Sequence, residues 1–163
     1  MSEAITYTID PAHSTAGFKV RHMMVSNVRG EFAGVNGTVV FDAGNPANTK
    51  IDATIDARTI HTRDEQRDAH LKSADFMDAE KFPTITFVSK KVEKAGEGEW
   101  KVAGDLTIHG VTKAVALAVE GPAPEAKDPW GNIKTGVSAT TKINRTDFGL
   151  VWNTALETGG VLV

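Results

Sequence analysis

The sequence predicts an all-β protein in which one helical segment interrupts a succession of short strands. Two observations support this prediction. Apolar and polar residues alternate with a period of two over many stretches, and Gly, Pro, Asn or Asp separates these stretches. A single segment, near residues 62–80, has the spacing of a helix instead. The fold class is therefore an antiparallel sandwich or barrel, and the interruption is where we expect a site.

The first strands define the expected inner face of the sheet. In a strand over residues 16–22, the side chains alternate between an apolar face and a face with Lys19 and Arg21. A turn at Gly34 and Asn36 is expected to join the two following runs into a hairpin. The inner positions of the first four runs are Ala16, Phe18, Val20, His22, Val28, Gly30, Phe32, Gly37, Val39, Phe41, Ile51, Ala53, Ile55 and Ala57.

The helical segment begins at a predicted capping box. Thr62 and Glu65 form the pattern T-x-x-E, which satisfies two backbone donors at the start of a helix that we expect to run through about Lys72. Arg67 and His70 lie on one polar face of this helix, so it is better suited to a lid across a barrel end than to the core. A second short turn presents Phe76 and Met77 before Pro83 ends it.

Later strands are expected at residues 84–88, 100–108, 111–120, 135–143 and about 149–156, with a loop over 122–130. The strand over residues 111–120 is apolar on both faces, with alanines at 114, 116 and 118 opposite Val115, Leu117 and Val119. Its outer face should therefore be covered, either by the lid helix or by a second subunit. With 163 residues, the chain is long enough for one domain with a real core.

Composition narrows the classes of function. The chain has no cysteine, and its net charge of −3 comes from 18 basic and 21 acidic residues without a basic stripe, so we expect no nucleic acid partner. No window approaches the roughly 20 apolar residues of a membrane helix, so no integral membrane segment is expected. The N-terminus does not resemble a signal peptide; the sequence as it stands predicts a cytoplasmic protein, or a periplasmic one if a signal peptide has been removed.

Residues that could perform catalysis or bind a metal do not form a recognised pattern. The five histidines have no metal-ligand spacing, so no metal site is expected. Ser14 and His13 might suggest a nucleophile and its base. Because adjacent residues of a strand point to opposite faces, their side chains are not expected to meet. Asp64 and Asp68 are four residues apart on the helix and could form a catalytic acid–base pair. A better explanation is that they are solvated carboxylates at the start of the helix, where its dipole favours negative charge. We therefore expect a protein that is not an enzyme.

Small residues on the inner face leave two interpretations of the interior. Glycines at 30, 37 and 104 and alanines at 16, 53, 57 and 139 could leave space for one small ligand inside a barrel of about eight strands. The less favoured alternative is that they lie where strands coil tightly around a filled core.

Several motifs in order resemble those of the YceI-like family of lipid-binding proteins. They are Asp10-Pro-Ala-His13-Ser14, Arg67-Asp-Ala-His70-Leu71 through Asp78, Lys81-Phe82-Pro83, Gly104 through Thr112, and Arg145-Thr-Asp147-Phe148-Gly149. The resemblance runs from Tyr7 to Gly160. It departs at Phe76-Met77, where the family more often has paired aromatic residues, and at the C-terminus, where the family's last strand would be missing.

This resemblance implies an extended, lipocalin-like antiparallel barrel that binds a long isoprenoid, such as a quinone tail or a polyprenyl phosphate, without any further cofactor. Arg67, His70 and either His22 or Arg21 would contact the head group. The implied ligand-binding residues are Phe18, Val20, His22, Phe32, Ile55, Arg67, His70, Leu71, Phe76, Phe82, Phe87, Leu106 and Ile108. A homodimer is also expected. The alternatives are a structural or interaction module with a filled barrel, or an enzyme that acts on an amphiphilic lipid.

Overall fold

The computed structural model describes residues 4–22, 26–42 and 44–150, and the side chains of residues 21, 22, 26 and 27 lie outside this description. The helix α1 spans Glu65–Lys72. The strands are β1 Ile5–Thr8, β2 Ala16–His22, β3 Ser26–Phe32, β4 Val35–Phe41, β5 Lys50–Asp56, β6 Thr84–Gly96, β7 Glu99–Ile108, β8 Val111–Glu120, β9 Ala126–Lys127, β10 Ile133–Lys134 and β11 Ser138–Thr140. Short 3₁₀ turns occupy Pro11–His13, Pro46–Asn48, Ala57–Thr59 and Arg145–Phe148.

Seven strands form one antiparallel sheet in the order β1-β4-β5-β6-β7-β8-β11. The sheet curls strongly into a half-barrel, which confirms the predicted all-β, barrel-like fold class. The hairpin β2–β3 is a separate sheet, and a bridge between Glu31 and His61 connects it to the segment before α1. The strands β9 and β10 form a small second hairpin.

The alternation predicted from the sequence has the correct phase. Phe18 and Val20 are half-buried, whereas Lys19 between them is exposed. On β8, Val119 is buried and Val115 is half-buried. The alanines at 114, 116 and 118 remain exposed, so the lid helix does not cover that face.

The hairpin predicted around Gly34 and Asn36 is wrong. Strand β3 pairs with β2, and β4 pairs with β1 and β5. The backbone N–H groups of Ala33 and Gly34 donate to Thr59 Oγ1 at 3.1 and 3.2 Å, so this connection is bound to the turn after β5 and does not fold back on itself. Asn36 lies inside β4, opposite Thr54.

The last predicted strands also differ from the structure. Strand β11 is shorter than the expected 135–143, because the Thr135 hydroxyl donates to the Ala123 carbonyl and holds that residue in a loop. Asn144 caps a 3₁₀ turn, and Gly149 ends it with a φ of 78°. Residues 151–156 of the final predicted strand lie outside the described part of the chain.

The helix is capped by Asp64, and the predicted capping box at Thr62 is wrong. The Asp64 carboxylate accepts the backbone N–H groups of Gln66 and Arg67, both at 3.1 Å. Thr62 is only 4% exposed, and its hydroxyl donates to Asp68 Oδ1 at 2.5 Å. An N-cap side chain must face the first free amides of the helix, and Thr62 instead faces the middle of the helix.

Candidate ligand site

Two groups of apolar side chains cover the concave face of the sheet. We call them the lid cluster and the distal cluster. The lid cluster consists of Phe32, Ala57, Ile60, Met77, Ala79, Ile85, Ile108, Phe148 and Leu150, and the distal cluster of Phe87, Val92, Val102 and Val119. Leu106 and Val115 pack against both clusters. One apolar surface therefore runs from the lid to the far end of the half-barrel.

The middle of this surface is not deeply buried. Leu106, Val115 and Leu117 are half-buried although they face the concave side of the sheet, and the same is true of Ile51 and Ile55. In a filled core such side chains would be excluded from solvent. The concave face therefore offers apolar area that a ligand could cover.

Aromatic rings fill the space beside two glycines on the inner face. A Cβ at Gly30 would clash with Phe18 Cζ, and a Cβ at Gly104 would clash with the Val88 carbonyl oxygen and lie 2.7 Å from Phe87 Cζ. At these two positions the small residue makes room for a phenyl ring and does not leave a cavity. The interpretation of a filled core is thus correct at Gly30 and Gly104. Ala139, another predicted inner residue, is exposed on β11.

A cleft of about 320 Å³ opens near the distal cluster, between β7, β8 and β11. Trp100 and Val119 are among its lining residues, and so are the carboxylates Glu99 and Glu120. The Trp100 indole N–H donates to the Gly121 carbonyl at 2.8 Å, which fixes the ring at this end. A second, shallow depression of about 330 Å³ lies along Gly17, Phe18, Lys19, Arg29 and Gly30 of the β2–β3 hairpin. Both are open to solvent, so neither encloses a small molecule by itself.

The polar residues predicted at the lid already have partners within the protein. Arg67 Nε donates to Thr62 Oγ1 and its Nη2 donates to the Thr62 carbonyl, both at 2.8 Å. His70 Nε2 lies 2.8 Å from Asp75 Oδ2, and the His70 ring packs edge-on to Phe76. These two side chains hold the lid segment together, so a head group would compete with existing hydrogen bonds.

Arg145 is the cation that the sequence analysis did not assign to the site. Its guanidinium lies 5.9 Å from the centre of the Phe76 ring, and Nη1 donates to the Leu150 carbonyl at 2.6 Å. The side chain is half-buried, and burial lowers the pKa of Arg145. Among the described residues it has no carboxylate partner. In the sequence, the one sign of a role for Arg145 was its position two residues before Asp147-Phe148.

Lys113 is a second cation that the sequence analysis missed. It pairs with Leu106 across β7 and β8, so both side chains lie on the same face of the sheet. The sequence could have predicted this position, because Lys113 is spaced by two residues from Val115 and by four from Leu117 and so lies on the same face of β8. Its side chain is exposed.

The structure brings together most of the predicted apolar ligand residues. Phe32 and Ile108 belong to the lid cluster, and the residues packed against it include Phe18, Ile55, Leu71 and Leu106. Phe87 lies in the distal cluster. Phe82 is apart from them, packed edge-on against His109 at 4.9 Å between ring centres. The His22 side chain lies outside the described residues.

The described residues contain no group of three or more His, Cys, Asp or Glu side chains that could hold a metal ion. Within the same ranges, no helix is both long and apolar enough to cross a membrane.

A curled antiparallel sheet with an apolar inner face, against which Leu71 and Met77 of the helical segment pack, belongs to the class of barrel-like folds. The comparisons with known proteins then identify the family. Residues 7–163 match the model of the YceI-like domain, and the chain belongs to this family.

Curated relatives and solved structures agree with this assignment. A UPF0312 protein of Staphylococcus aureus is 41% identical over 157 residues, which cover 96% of this chain and 89% of that protein. One from Vibrio vulnificus is 39% identical over 151 residues, which cover 91% of this chain and 79% of that protein. The crystal structure of the Campylobacter jejuni YCEI protein is 40% identical, with a TM-score of 0.68 over 88% of this chain and 83% of that one. Burkholderia cenocepacia BcnA is 26% identical, with a TM-score of 0.71 over 86% and 83% of the two chains.

Proposed function

We propose that the concave face binds the hydrocarbon tail of a long-chain isoprenoid, and that the protein stores or transports this lipid without catalysing a reaction. The main observation is the apolar surface that joins the lid cluster to the distal cluster through the half-buried Leu106 and Val115. Membership of the YceI-like family supports the same class of ligand.

The dimensions of the sheet suit an elongated ligand. Strand β7 runs from Trp100 at the distal cluster to Ile108 at the lid cluster, which is about 26 Å at 3.3 Å per residue. Burying one five-carbon unit yields about 4 kcal/mol, at about 0.8 kcal/mol per methylene. Eight units would exceed the limit of about 20 kcal/mol for noncovalent binding, so ordering the tail must offset much of the gain. Affinity should therefore depend on tail length and shape.

Arg145 favours an anionic head group. A half-buried guanidinium that has no carboxylate partner among the described residues is costly, and a phosphate would supply both the counter-charge and paired acceptors. The Phe76 ring beneath it is buried, and in the same segment Met77 belongs to the lid cluster and Leu71 packs against it, where the first units of a tail could lie. A polyprenyl phosphate fits this arrangement better than a quinone.

Binding is tested first on the purified protein. Organic extracts analysed by mass spectrometry should contain about one isoprenoid per chain, or a fluorescent prenyl probe should bind at micromolar concentration. Polyprenyl phosphate should displace the probe more strongly than a quinone of equal tail length. If the protein is bare in native mass spectrometry and neither prenyl nor fatty-acyl probes bind, the proposal is wrong.

A structural module with a filled interior is the second candidate. The rings of Phe18 and Phe87, which occupy the space over Gly30 and Gly104, favour it. Failure of every probe to bind, together with a stable oligomer in light scattering, would select this function.

A further inference from the structure

The arm formed by residues 122–137 exposes large apolar side chains. Trp130 is 83% exposed, Ile133 is 63% exposed and Val137 is 59% exposed. They are the three most exposed large hydrophobic residues of the described chain. Large apolar side chains left in water on one short segment make it a candidate surface of interaction, because burial would stabilise each of them.

The turn that presents Trp130 is held rigidly. The Asp128 carboxylate accepts the backbone N–H groups of Trp130 and Asn132, both at 2.9 Å, and the Asn132 side-chain amide at 3.3 Å. Burial alone would raise the pKa of Asp128, but these hydrogen bonds from Asn132 and Trp130 lower it overall. The indole is thus held in water by a structured turn, although burial would stabilise it.

Two side-chain contacts fix the arm to the opposite edge of the sheet. Lys134 Nζ lies 2.8 Å from Asp10 Oδ2, and the Tyr7 hydroxyl donates to Glu125 Oε1. Asp10 follows β1, which is one edge strand, whereas the arm connects β8 to β11 at the other edge. The arm therefore spans the open side of the half-barrel, with Trp130 at its tip.

The arm has as many basic as acidic side chains, so charge favours an anionic partner only where a lysine is left without an ion pair. Residues 122–137 contain Lys127 and Lys134 against Glu125 and Asp128, a net charge of zero, and Lys134 is paired with Asp10. Both carboxylates are engaged within the protein, Glu125 by Tyr7 and Asp128 by the turn. Lys127 and Lys142 have no ion pair among the described residues. Lys127 also pairs across the hairpin with Ile133, so a cation and an apolar group share one face.

We propose that this arm docks the protein on the surface of a lipid bilayer that contains anionic head groups. An exposed tryptophan on a projecting tip inserts well between head groups, where its ring meets the acyl chains and its N–H stays in the polar layer. Lys127 beside it adds attraction to the negative surface. Trp130 is on a convex tip rather than in a groove, which suits a membrane better than a peptide. This docking goes beyond tail binding and uses a different surface.

Vesicle sedimentation tests the docking. We expect the protein to sediment with vesicles of phosphatidylcholine and phosphatidylglycerol at 7:3, with a blue shift of tryptophan fluorescence. Trp130→Ala should lower the partition coefficient by about tenfold, the factor that corresponds to about 1.4 kcal/mol. Val88→Ala, which truncates a 47% exposed residue on β6, is the matched control and should change nothing. Lys127→Gln should weaken binding to the mixed vesicles and leave binding to pure phosphatidylcholine unchanged.

Three results would overturn the proposal. The wild-type protein could fail to sediment with either kind of vesicle, or Trp130→Ala could sediment as well as wild type. Light scattering could also show that Trp130→Ala converts a dimer into monomers, which would assign the arm to a subunit interface. Loading of a prenyl probe without vesicles should be equal in wild type and Trp130→Ala, so failure of docking and failure of tail binding give different results.

Discussion

The phenyl ring of Phe18 lies over Gly30, its direct partner across the β2–β3 hairpin. A Cβ at Gly30 would clash with Phe18 Cζ and lie 2.8 Å from Thr62 Cγ2. The same ring packs against Phe32, with 5.6 Å between the ring centres. This contact fills the space beside a glycine and connects the separate hairpin to the segment that precedes the lid.

Gly30→Ala should therefore destabilise the protein. Overpacking of this kind costs about 1–3 kcal/mol, since the ring must move and Thr62 is close on the other side. The free energy of unfolding from urea titration measures the effect. Gly17→Ala is the matched control, because its Cβ would meet only the Gly30 carbonyl oxygen, at 3.8 Å.

A second substitution tests the cause. Phe18→Leu removes the atoms that clash, so the double variant Phe18→Leu/Gly30→Ala should lose less stability than the sum of the single variants. Strictly additive losses would show that the ring of Phe18 is not what excludes a side chain at Gly30.

The sequence predicted those elements whose pattern depends on burial of one face. The phase of β2 follows from alternation and the end of α1 at Lys72 from helical spacing, whereas the bounds of β8 follow from an apolar run after the turn at His109-Gly110. It did not predict the partner of β3, because alternation fixes the face of a strand and not its neighbour. The cap at Asp64 was missed because both Thr62 and Asp64 are good N-cap residues, and only tertiary contact with Asp68 decides between them.

The candidate site was partly predictable for the same reason. Inward apolar residues such as Phe32 and Ile108 could be found from alternation. The internal partners of Arg67 and His70 depend on how the lid folds, which helical periodicity does not determine. Arg145 acquires its role only when the chain returns to the lid and places its guanidinium over Phe76.

Filling the middle of the concave face should block tail binding. Val115 joins the two apolar clusters and is half-buried, so Val115→Trp would occupy the path between them. We expect at least a tenfold loss of prenyl-probe affinity, about 1.4 kcal/mol, without loss of the β circular-dichroism signal. Ala114→Trp places the same ring on the exposed face and should bind the probe normally. Equal binding by both variants would show that the tail does not lie at Val115.

Arg145 should determine the preference between head groups. Arg145→Met keeps an apolar stem over Phe76 and removes the charge, so affinity for polyprenyl phosphate should fall by about tenfold or more, as for a lost charge-assisted hydrogen bond. Affinity for a quinone with the same tail should hardly change. Lys113→Met is the control on the concave face, where the lysine is exposed and lacks a described partner. An equal loss for both ligands would indicate a structural role for Arg145.

The contact between Asp10 and Lys134 should respond to acid. Lys134, and next His13, hold the pKa of the Asp10 carboxyl well below its ordinary value of 3.8. A carboxyl whose pKa is lower in the folded than in the unfolded state stabilises the fold at any pH above its unfolded-state pKa. This stabilisation is lost as the pH falls through the folded-state pKa. Protection of the arm from hydrogen exchange should thus be constant at neutral pH and decline only below about pH 4.

Asp10→Asn should lower the protection of the arm from hydrogen exchange at neutral pH, as acid does in the wild type. The amides of Ala123 and Asp128, which are bonded within the arm, should exchange faster in this variant than in wild type. Asp52→Asn, an exposed position on β5, should leave them unchanged. Unaltered exchange in Asp10→Asn would mean that the arm is held without Lys134.

We propose that the exposed alanine face of β8 forms a homodimer interface. Ala114, Ala116 and Ala118 are all exposed, and Ala103 lies opposite Ala116 on β7, so two sheets could approach closely there. Ala116→Arg should convert a dimer to a monomer in light scattering and keep the β circular-dichroism signal, because a charged guanidinium would be buried without a counter-charge in an apolar interface. Lys113→Arg, on the concave face of the same strand, is the control and should remain dimeric. A wild-type protein that is monomeric throughout the micromolar range would contradict the interface.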